Sequence, residues 1–175
     1  MGFQLKNKFQ ILRSLFIFII GISFPSFISV SSGDIGGVFV SEQQEELRCL
    51  EAALFAEARS EPEAGIRAVM SVIYNRRLHK DYPSSFCGVI LQPRQFSAFD
   101  NNKGLATKAL KPIGSKDKRA HNLVSYVAHQ AILDRFEPVL DRDVLWYANT
   151  EVKNRWTKKF TRVKVIHHHS FYKEI

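Results

Sequence analysis

The chain has 175 residues, of which 45% are hydrophobic and 24% are charged. This is the profile of a folded globular protein and argues against a disordered chain, and the length suits one domain rather than two. The formal net charge is +8, and residues 1–31 hold three basic residues and no acid, which leaves +5 for the remainder. A basic remainder favours an anionic partner, either a wall polymer or a nucleic acid.

Residues 1–31 have the pattern of a targeting segment. A short basic start precedes an apolar run over 15–22, followed by small residues. The basic residues are Lys6, Lys8 and Arg13. This pattern predicts a cleaved export signal and a location in the periplasm or cell wall. The alternative is a retained membrane anchor, because residues 14–33 carry no charge and approach the length that spans a bilayer.

Two consecutive helices are predicted after a weakly patterned linker over 32–40. The first covers about 42–59, because Leu50 and Leu54 belong to an apolar stripe at helical spacing. The sequence SEPE at 60–63 indicates a second helix start, with a capping serine, a glutamate three residues later and a proline in the first turn. That helix is predicted to end near Leu78.

The second half of the chain changes from helical to strand-like patterning. Residues 100–118 are polar and contain glycine and proline, so they are predicted to form a loop. The other predicted elements are a helical turn at 84–91, a helix at 118–136 and strands at 144–148, 162–166 and 170–173. The fold class is therefore α+β, mainly α, with a short C-terminal β element.

Glu57 is the candidate for acid–base chemistry. It lies in the last turn of the first helix beside an apolar face, where burial and the helix dipole both tend to raise its pKa. A carboxyl that keeps its proton near neutrality can donate it to a leaving oxygen. From the pattern alone, a surface glutamate at a helix end is the commoner interpretation. Glycosidic cleavage often uses a second carboxylate, for which Asp100 is a candidate and a turn residue is the alternative.

Other patterns give weaker signals. The histidine triplet at 167–169 suggests a metal site, but alternate residues of a strand share a face and no second ligand motif accompanies it. No phosphate loop or serine-nucleophile motif is present, and no cofactor is predicted. The basic run 153–164 contains Trp156 and Phe160, which fits stacking on bases or sugars, or a solvated face. The export leader argues against nucleic acid.

The chain has two cysteines, Cys49 and Cys87. In an exported protein they predict one disulfide, whereas in a cytosolic protein they would be buried thiols. Neither belongs to a CxxC pair, so they do not indicate a metal site. The sequence does not fix whether their Cα atoms come within bridging distance.

Several segments in order resemble the cell wall hydrolase family typified by the spore cortex-lytic enzyme. They are FAEARSEP, AVMSVIYNRR, YPSSFCGVI and QFSAF, followed by WYAN, a tryptophan and HSFY near the C-terminus. The resemblance covers about 49–172. It implies that residues 41–175 form a small lysozyme-like catalytic domain, mainly α. It also implies cleavage of the MurNAc–GlcNAc bond in peptidoglycan glycan strands, by a monomer without a cofactor.

The resemblance assigns the catalytic role to Glu57 and implies a lytic transglycosylase. In such enzymes one acid protonates the leaving oxygen and then, as a base, helps the sugar's own 6-hydroxyl close a 1,6-anhydro ring. A hydrolytic muramidase using Asp100 and a non-catalytic wall-binding protein are the alternatives. Asn75 and Arg76 match a family motif, and we expect them to hold the second helix against the strands. The residues implied to line the groove are Gln95, Ser97, Tyr147, Asn149 and His169.

The chain also departs from the family pattern. Cys49 and Cys87 resemble a cysteine pair of Gram-negative members, which often carry a second pair around the QFS segment. Arg94 and Phe99 occupy those second positions here. The histidine usually found near Tyr147 is also replaced.

Overall fold

A computed structural model describes residues 32–96, 99, 117–152 and 155–175. Four earlier predictions lie wholly or mostly outside these residues. They are the leader over 1–31, the groove residue Ser97, the second-carboxylate candidate Asp100 and the loop over 100–118, of which only 117 and 118 are described.

In the described parts of the chain, helices come first and a three-stranded sheet comes last. The elements are α1 (Ser32–Ala58), α2 (Glu63–Leu78), α3 (Phe86–Ile90), α4 (Lys118–Ile132), β1 (Val144–Asn149), a 3-10 helix (Arg155–Lys159), β2 (Phe160–Ile166) and β3 (His169–Glu174). The predicted fold class, mainly α with a short C-terminal β element, is confirmed.

The first helix begins earlier than its pattern indicates. It starts at Ser32 instead of near Glu42, so residues 32–40 are helical where an irregular linker was expected. Each glycine in a helix costs only about 1 kcal/mol relative to alanine. Extending an existing helix also avoids the cost of nucleating a new one. The helix ends at Ala58, close to the predicted end.

The core lies where the apolar faces of α1, α2 and α4 meet. Helical spacing places the apolar side chains of each helix on one face, and these faces are buried. The fully buried members include Leu50, Ala53, Leu54, Ala58, Ala68, Val69, Val72, Ile73, Val124, Val127 and Ala128. Phe86, Phe96 and Phe171 add the largest buried rings, each at most 1% exposed.

The sheet is antiparallel with the order β1-β3-β2, so β3 is the central strand. Its first residue, His169, pairs with Asn149 of β1 and with Ile166 of β2. His167 and His168 form the turn between β2 and β3, and His167 takes a left-handed φ of 47°. The register therefore brings this histidine turn to the end of β1.

Asn75 and Arg76 fasten α2 to the sheet. The Asn75 amide donates hydrogen bonds to the carbonyl oxygens of Asp141 (2.7 Å) and Val144 (3.1 Å). The Nε of Arg76 donates to the Leu145 carbonyl at 2.8 Å. Burial lowers the pKa of Arg76, an effect that the neighbouring tyrosines oppose. Both side chains thus hold the helix against the strand, as expected from the sequence.

Replacing Asn75 with alanine is expected to lower the free energy of unfolding by about 2–3 kcal/mol. The change leaves two carbonyl oxygens unpaired in a mostly buried setting. Urea denaturation of the variant measures the loss. Asn122→Ala is the matched control, since Asn122 is exposed on α4 and its loss should change stability by less than about 0.5 kcal/mol. Equal stabilities for the two variants would contradict the fastening role.

Candidate active site

Glu57 and Tyr147 meet between the last turn of α1 and the middle of β1. The Tyr147 hydroxyl donates a hydrogen bond to Glu57 Oε2 at 3.2 Å, although the two residues lie 90 positions apart. Both side chains are partly buried. The helix end supplies the carboxyl and the strand supplies the hydroxyl, so the pair exists only in the folded chain.

The surroundings of this pair raise the pKa of both groups. Loss of solvation raises the pKa of Glu57 above its ordinary value of 4.5, and the hydrogen bond from Tyr147 partly offsets this. Burial, followed by the charge of Glu57, raises the pKa of Tyr147 well above 10.0. Tyr147 is therefore a hydrogen-bond donor throughout the neutral range, and Glu57 is a carboxyl that releases its proton reluctantly.

His169 packs against Tyr147. Its ring meets that of Tyr147 edge to face, with the centroids 5.3 Å apart, and the residue is 5% exposed. Burial lowers the pKa of His169 below 6.5, while the carboxylate of Glu61 acts in the opposite direction. His169 is thus a neutral imidazole near pH 7 that holds the tyrosine ring in place.

Glu61 is the residue of this region that sequence reasoning missed. We predicted a helix-start residue beside a capping Ser60, but the N-cap of α2 is Pro62 and no side chain caps it. The Glu61 side chain instead turns inward and is only 1% exposed. Its Oε1 lies 2.9 Å from His168 Nδ1 and 3.6 Å from His169 Nδ1. The histidines lie more than 100 residues away in sequence, so no local pattern signals this contact.

The histidine triplet differs from its predicted arrangement. We expected His167 and His169 to share a face, as alternate residues of a strand do. His167 and His168 belong to a turn, where strand alternation does not apply, and His168 and His169 are the two that approach one carboxylate. Within 32–96, 99, 117–152 and 155–175, no group of three or more histidine, cysteine, aspartate or glutamate side chains could hold a metal ion.

Two other predicted groove residues lie at the surface. Asn149 is exposed at the end of β1, and its Oδ1 accepts a hydrogen bond from the Glu151 amide at 2.8 Å. Gln95 is exposed, and its backbone N–H donates to the Gln92 carbonyl at 3.3 Å. The structure therefore brings Glu57, Tyr147 and His169 together and leaves Gln95 and Asn149 exposed to solvent.

The aromatic residues of the basic run pack against one another. The Trp156 ring lies 5.6 Å from both Phe160 and Tyr172, and Trp146 lies 4.4 Å from Phe160. Side chains alternate along β1, so Trp146 faces away from Tyr147 and from Glu57. Packing of the sheet accounts for these aromatics without a bound ligand.

A cleft of about 810 Å³ opens beside the α1–α2 junction. Arg59, Arg119 and Tyr126 are among the residues that line it, and the Tyr126 side chain is 54% exposed. Glu61 borders the cleft, while Glu57 is not part of its lining. Cations and an exposed ring are suitable contacts for a polar sugar polymer.

Cys49 and Cys87 form a disulfide with their Cα atoms 5.3 Å apart. The bridge ties α1 to the first turn of α3. The Glu46 carboxylate supports the same contact, because its two oxygens accept hydrogen bonds from the amides of Phe86 (2.6 Å) and Cys87 (3.2 Å). None of the helices described is long and apolar enough to cross a membrane.

A mainly helical domain with a desolvated carboxyl beside a tyrosine and a neutral histidine has the parts required for acid–base catalysis. A family model described as Cell Wall Hydrolase matches residues 60–172, and the chain belongs to that family. The matched range begins just after Glu57, so the family match does not itself include this residue.

Known relatives support the assignment to the cell wall hydrolase family. The spore cortex-lytic enzyme of Bacillus cereus is 38% identical over 55 residues, which is 31% of this chain and 21% of that protein. The Bacillus subtilis enzyme of the same name is 42% identical over 53 residues, covering 30% of this chain and 17% of that protein. The alignment thus spans only about a fifth of the length of these relatives.

Solved structures extend the likeness over most of the chain. The catalytic domain of the germination-specific lytic transglycosylase SleB from Bacillus anthracis has a TM-score of 0.54 and 25% identity, covering 74% of this chain and 95% of that one. The catalytic domain of the Bacillus cereus SleB protein has a TM-score of 0.51 and 26% identity, covering 74% and 91%. The fold is therefore lysozyme-like, as the resemblance implied.

Proposed function

We propose that this protein cleaves the MurNAc–GlcNAc bond of peptidoglycan as a lytic transglycosylase, with Glu57 as general acid and then base. The observation that carries the proposal is the desolvated Glu57 carboxyl and its hydrogen bond from Tyr147. Membership of the cell wall hydrolase family supports the substrate class. The likeness to a lytic transglycosylase domain supports the reaction type.

In the first step, Glu57 gives its proton to the glycosidic oxygen while the bond from that oxygen to C1 breaks. Burial raises the pKa of this carboxyl, which favours the protonated form that the step needs. Glu57 is then a carboxylate, and the Tyr147 hydroxyl stabilises the new charge by donating a hydrogen bond.

In the second step, the 6-hydroxyl of the sugar that carries this C1 attacks C1 and returns a proton to Glu57. A bond between O6 and C1 forms, so the product carries a 1,6-anhydro ring and the enzyme regains its starting state. No water is consumed, and one carboxyl serves both steps. The reaction therefore requires no second acid.

The surrounding surface has properties that suit a wall polymer. Arg59, Arg119 and Tyr126 line the neighbouring cleft, and the chain outside its leader is basic. We propose that Gln95, Ser97 and Asn149 contact the glycan. The basic apolar leader supports export to the periplasm or cell wall, either free or anchored through residues 14–33. We propose that the protein acts there as a monomer.

Digestion of purified peptidoglycan, followed by mass spectrometry of the products, tests the proposal. Anhydro-muropeptides, one water lighter than hydrolysis products, are expected. Reducing-end products would instead indicate a hydrolytic muramidase and direct attention to Asp100 as a second carboxylate. Binding to peptidoglycan without any product would replace the proposal with a wall-binding role.

Replacing Tyr147 with phenylalanine tests the hydrogen bond separately. The bond favours the charged form of Glu57, so its removal raises the pKa of Glu57 further. The rate of cleavage should fall by about tenfold, because the carboxylate formed in the first step loses a charge-assisted hydrogen bond. The pH–rate profile should keep its activity to higher pH than in the wild type. An alkaline limb that moves to lower pH would contradict the assignment.

A further inference from the structure

Among the described residues, one buried acid has no role in the mechanism above. Glu61 lies at the α1–α2 junction with a side chain that is 1% exposed. Its Oε1 interacts with His168 Nδ1 at 2.9 Å, while its Oε2 has no hydrogen-bond partner among the described residues. A buried carboxylate with one unpaired oxygen is uncommon. Burial removes the water that hydrates this oxygen, and no other hydrogen bond replaces it.

His169, next to Glu61, also has a buried polar atom without a hydrogen-bond partner among the described residues. Its Nδ1 is buried, has no hydrogen-bond partner among the described residues and lies 3.6 Å from Glu61 Oε1. An imidazole N–H is a donor and a carboxylate oxygen is an acceptor, so each group is the natural partner of the other. A movement of less than 1 Å would bring the two within hydrogen-bond distance.

Gly65 of α2 lies directly against the Glu61 side chain. A Cβ atom placed on Gly65 would lie 2.7 Å from both the Cβ and the Oε2 of Glu61. At this position only glycine lets the first turn of α2 pack directly on the carboxylate. The turn that carries His168 is held as well, since the Thr150 amide donates to the His168 carbonyl at 2.8 Å.

The geometry points to Glu61 as a positioning residue, whose carboxylate holds His168 and His169 and thereby fixes Tyr147 and its hydrogen bond to Glu57. The connection runs from Glu61 to the His169 ring, and from that ring to the Tyr147 ring at 5.3 Å. Glu61 itself touches no reacting atom in this arrangement. The inference rests on the proposed function, because it assigns Glu61 to the support of that site.

The nitrogen that carries the proton on neutral His169 tests the arrangement without any substitution. Nitrogen-15 NMR of the wild-type protein distinguishes the two tautomers. A proton on Nδ1, facing Glu61, is expected. A proton on Nε2 would overturn the inference, whether or not the protein cleaves peptidoglycan.

Glu61→Gln tests the charge. The titratable groups around His169 are Glu61 at the helix junction, His168 in the turn and Tyr147 on β1. Glu61 favours the protonated imidazole, so its loss should lower the pKa of His169, as read by NMR titration. Cleavage of soluble peptidoglycan fragments should lose about 10²-fold in kcat with little change in KM, since misplacing a catalytic group by about 1 Å has that effect.

Two further variants make the comparison decisive. Glu174→Gln is the matched control, because Glu174 is exposed on the same strand, about 17 Å from His169, and should change neither the titration nor the rate. Gly65→Ala keeps every charge but displaces the Glu61 carboxylate, so it should lower kcat in the same way. An unchanged kcat in either Glu61→Gln or Gly65→Ala would overturn the inference. Should Glu61→Gln not fold, Gly65→Ala and the wild-type tautomer decide the question.

These experiments separate the two proposals. Absence of products from the wild-type protein would reject the enzymatic function alone, because the tautomer and the titration of His169 require no substrate. Normal products with an unperturbed His169 in Glu61→Gln would reject only the positioning role.

Discussion

Replacing Glu57 with glutamine is expected to reduce product formation from peptidoglycan by at least about 10³-fold. The amide keeps the shape of the side chain but has no proton to give to the leaving oxygen, and general acid–base catalysis is worth about 10²–10⁴-fold. The loss should lie in the upper part of this range, because the same carboxyl serves as acid and then as base. Mass spectrometry of timed digests measures it.

The same substitution should make the folded protein more stable at neutral pH. Burial raises the pKa of Glu57, so the folded state binds this proton more tightly than the unfolded state does. The contribution of Glu57 to the stability of the wild type therefore falls as the pH rises above 4.5. This fall is complete once the pH exceeds the pKa of Glu57 in the folded state. Glu57→Gln avoids this loss, so its advantage in melting temperature should grow across that range and vanish below it.

Measuring both product formation and melting temperature distinguishes the loss of a catalytic group from misfolding. A variant that is inactive because it is misfolded would melt at a lower temperature, not a higher one. Glu137→Gln, at an exposed glutamate after α4, serves as the control and should change neither the activity nor the melting temperature. Wild-type levels of anhydro-products from a folded Glu57→Gln variant would remove Glu57 from the mechanism.

Removing the disulfide is expected to lower the free energy of unfolding more than the replacement of Asn75 does. Cys49 and Cys87 are 38 residues apart, and a link across that length restricts the unfolded chain by about 4 kcal/mol. Cys49 is also 1% exposed within the core, so its replacement by alanine leaves a small gap. Guanidinium denaturation of the double variant Cys49→Ala/Cys87→Ala, compared with the oxidised wild type, measures the loss.

Reduction provides the matched comparison for this variant. Wild-type protein treated with a thiol reductant should approach the stability of the double variant, whereas the variant itself should not respond to the reductant. A difference of less than 1 kcal/mol between oxidised wild type and variant would show that the bridge contributes little. The contact between α1 and α3 would then depend mainly on Glu46, which accepts the amides of Phe86 and Cys87.

The sequence by itself determined the elements whose stability is local or periodic. Helical spacing located the buried faces of α1, α2 and α4, and alternation located the three strands, because one buried face imposes a fixed repeat on the chain. It also gave Glu57 as the catalytic candidate, through its place at a helix end and its motif. The start of α1 was missed, since residues 32–40 carry no apolar repeat and the helix there is an extension of a segment packed elsewhere.

Only the tertiary structure decided how the site is assembled. Tyr147 meets Glu57 across 90 residues, and His168 reaches Glu61 across 107. Such contacts depend on the register of β1 against β3 and on the place where α2 is fastened to the sheet, and no local pattern records either. Glu61 shows this most clearly. In sequence it is an ordinary acid at a helix start, and it becomes a buried partner of two histidines because the hairpin folds back onto the junction of the first two helices.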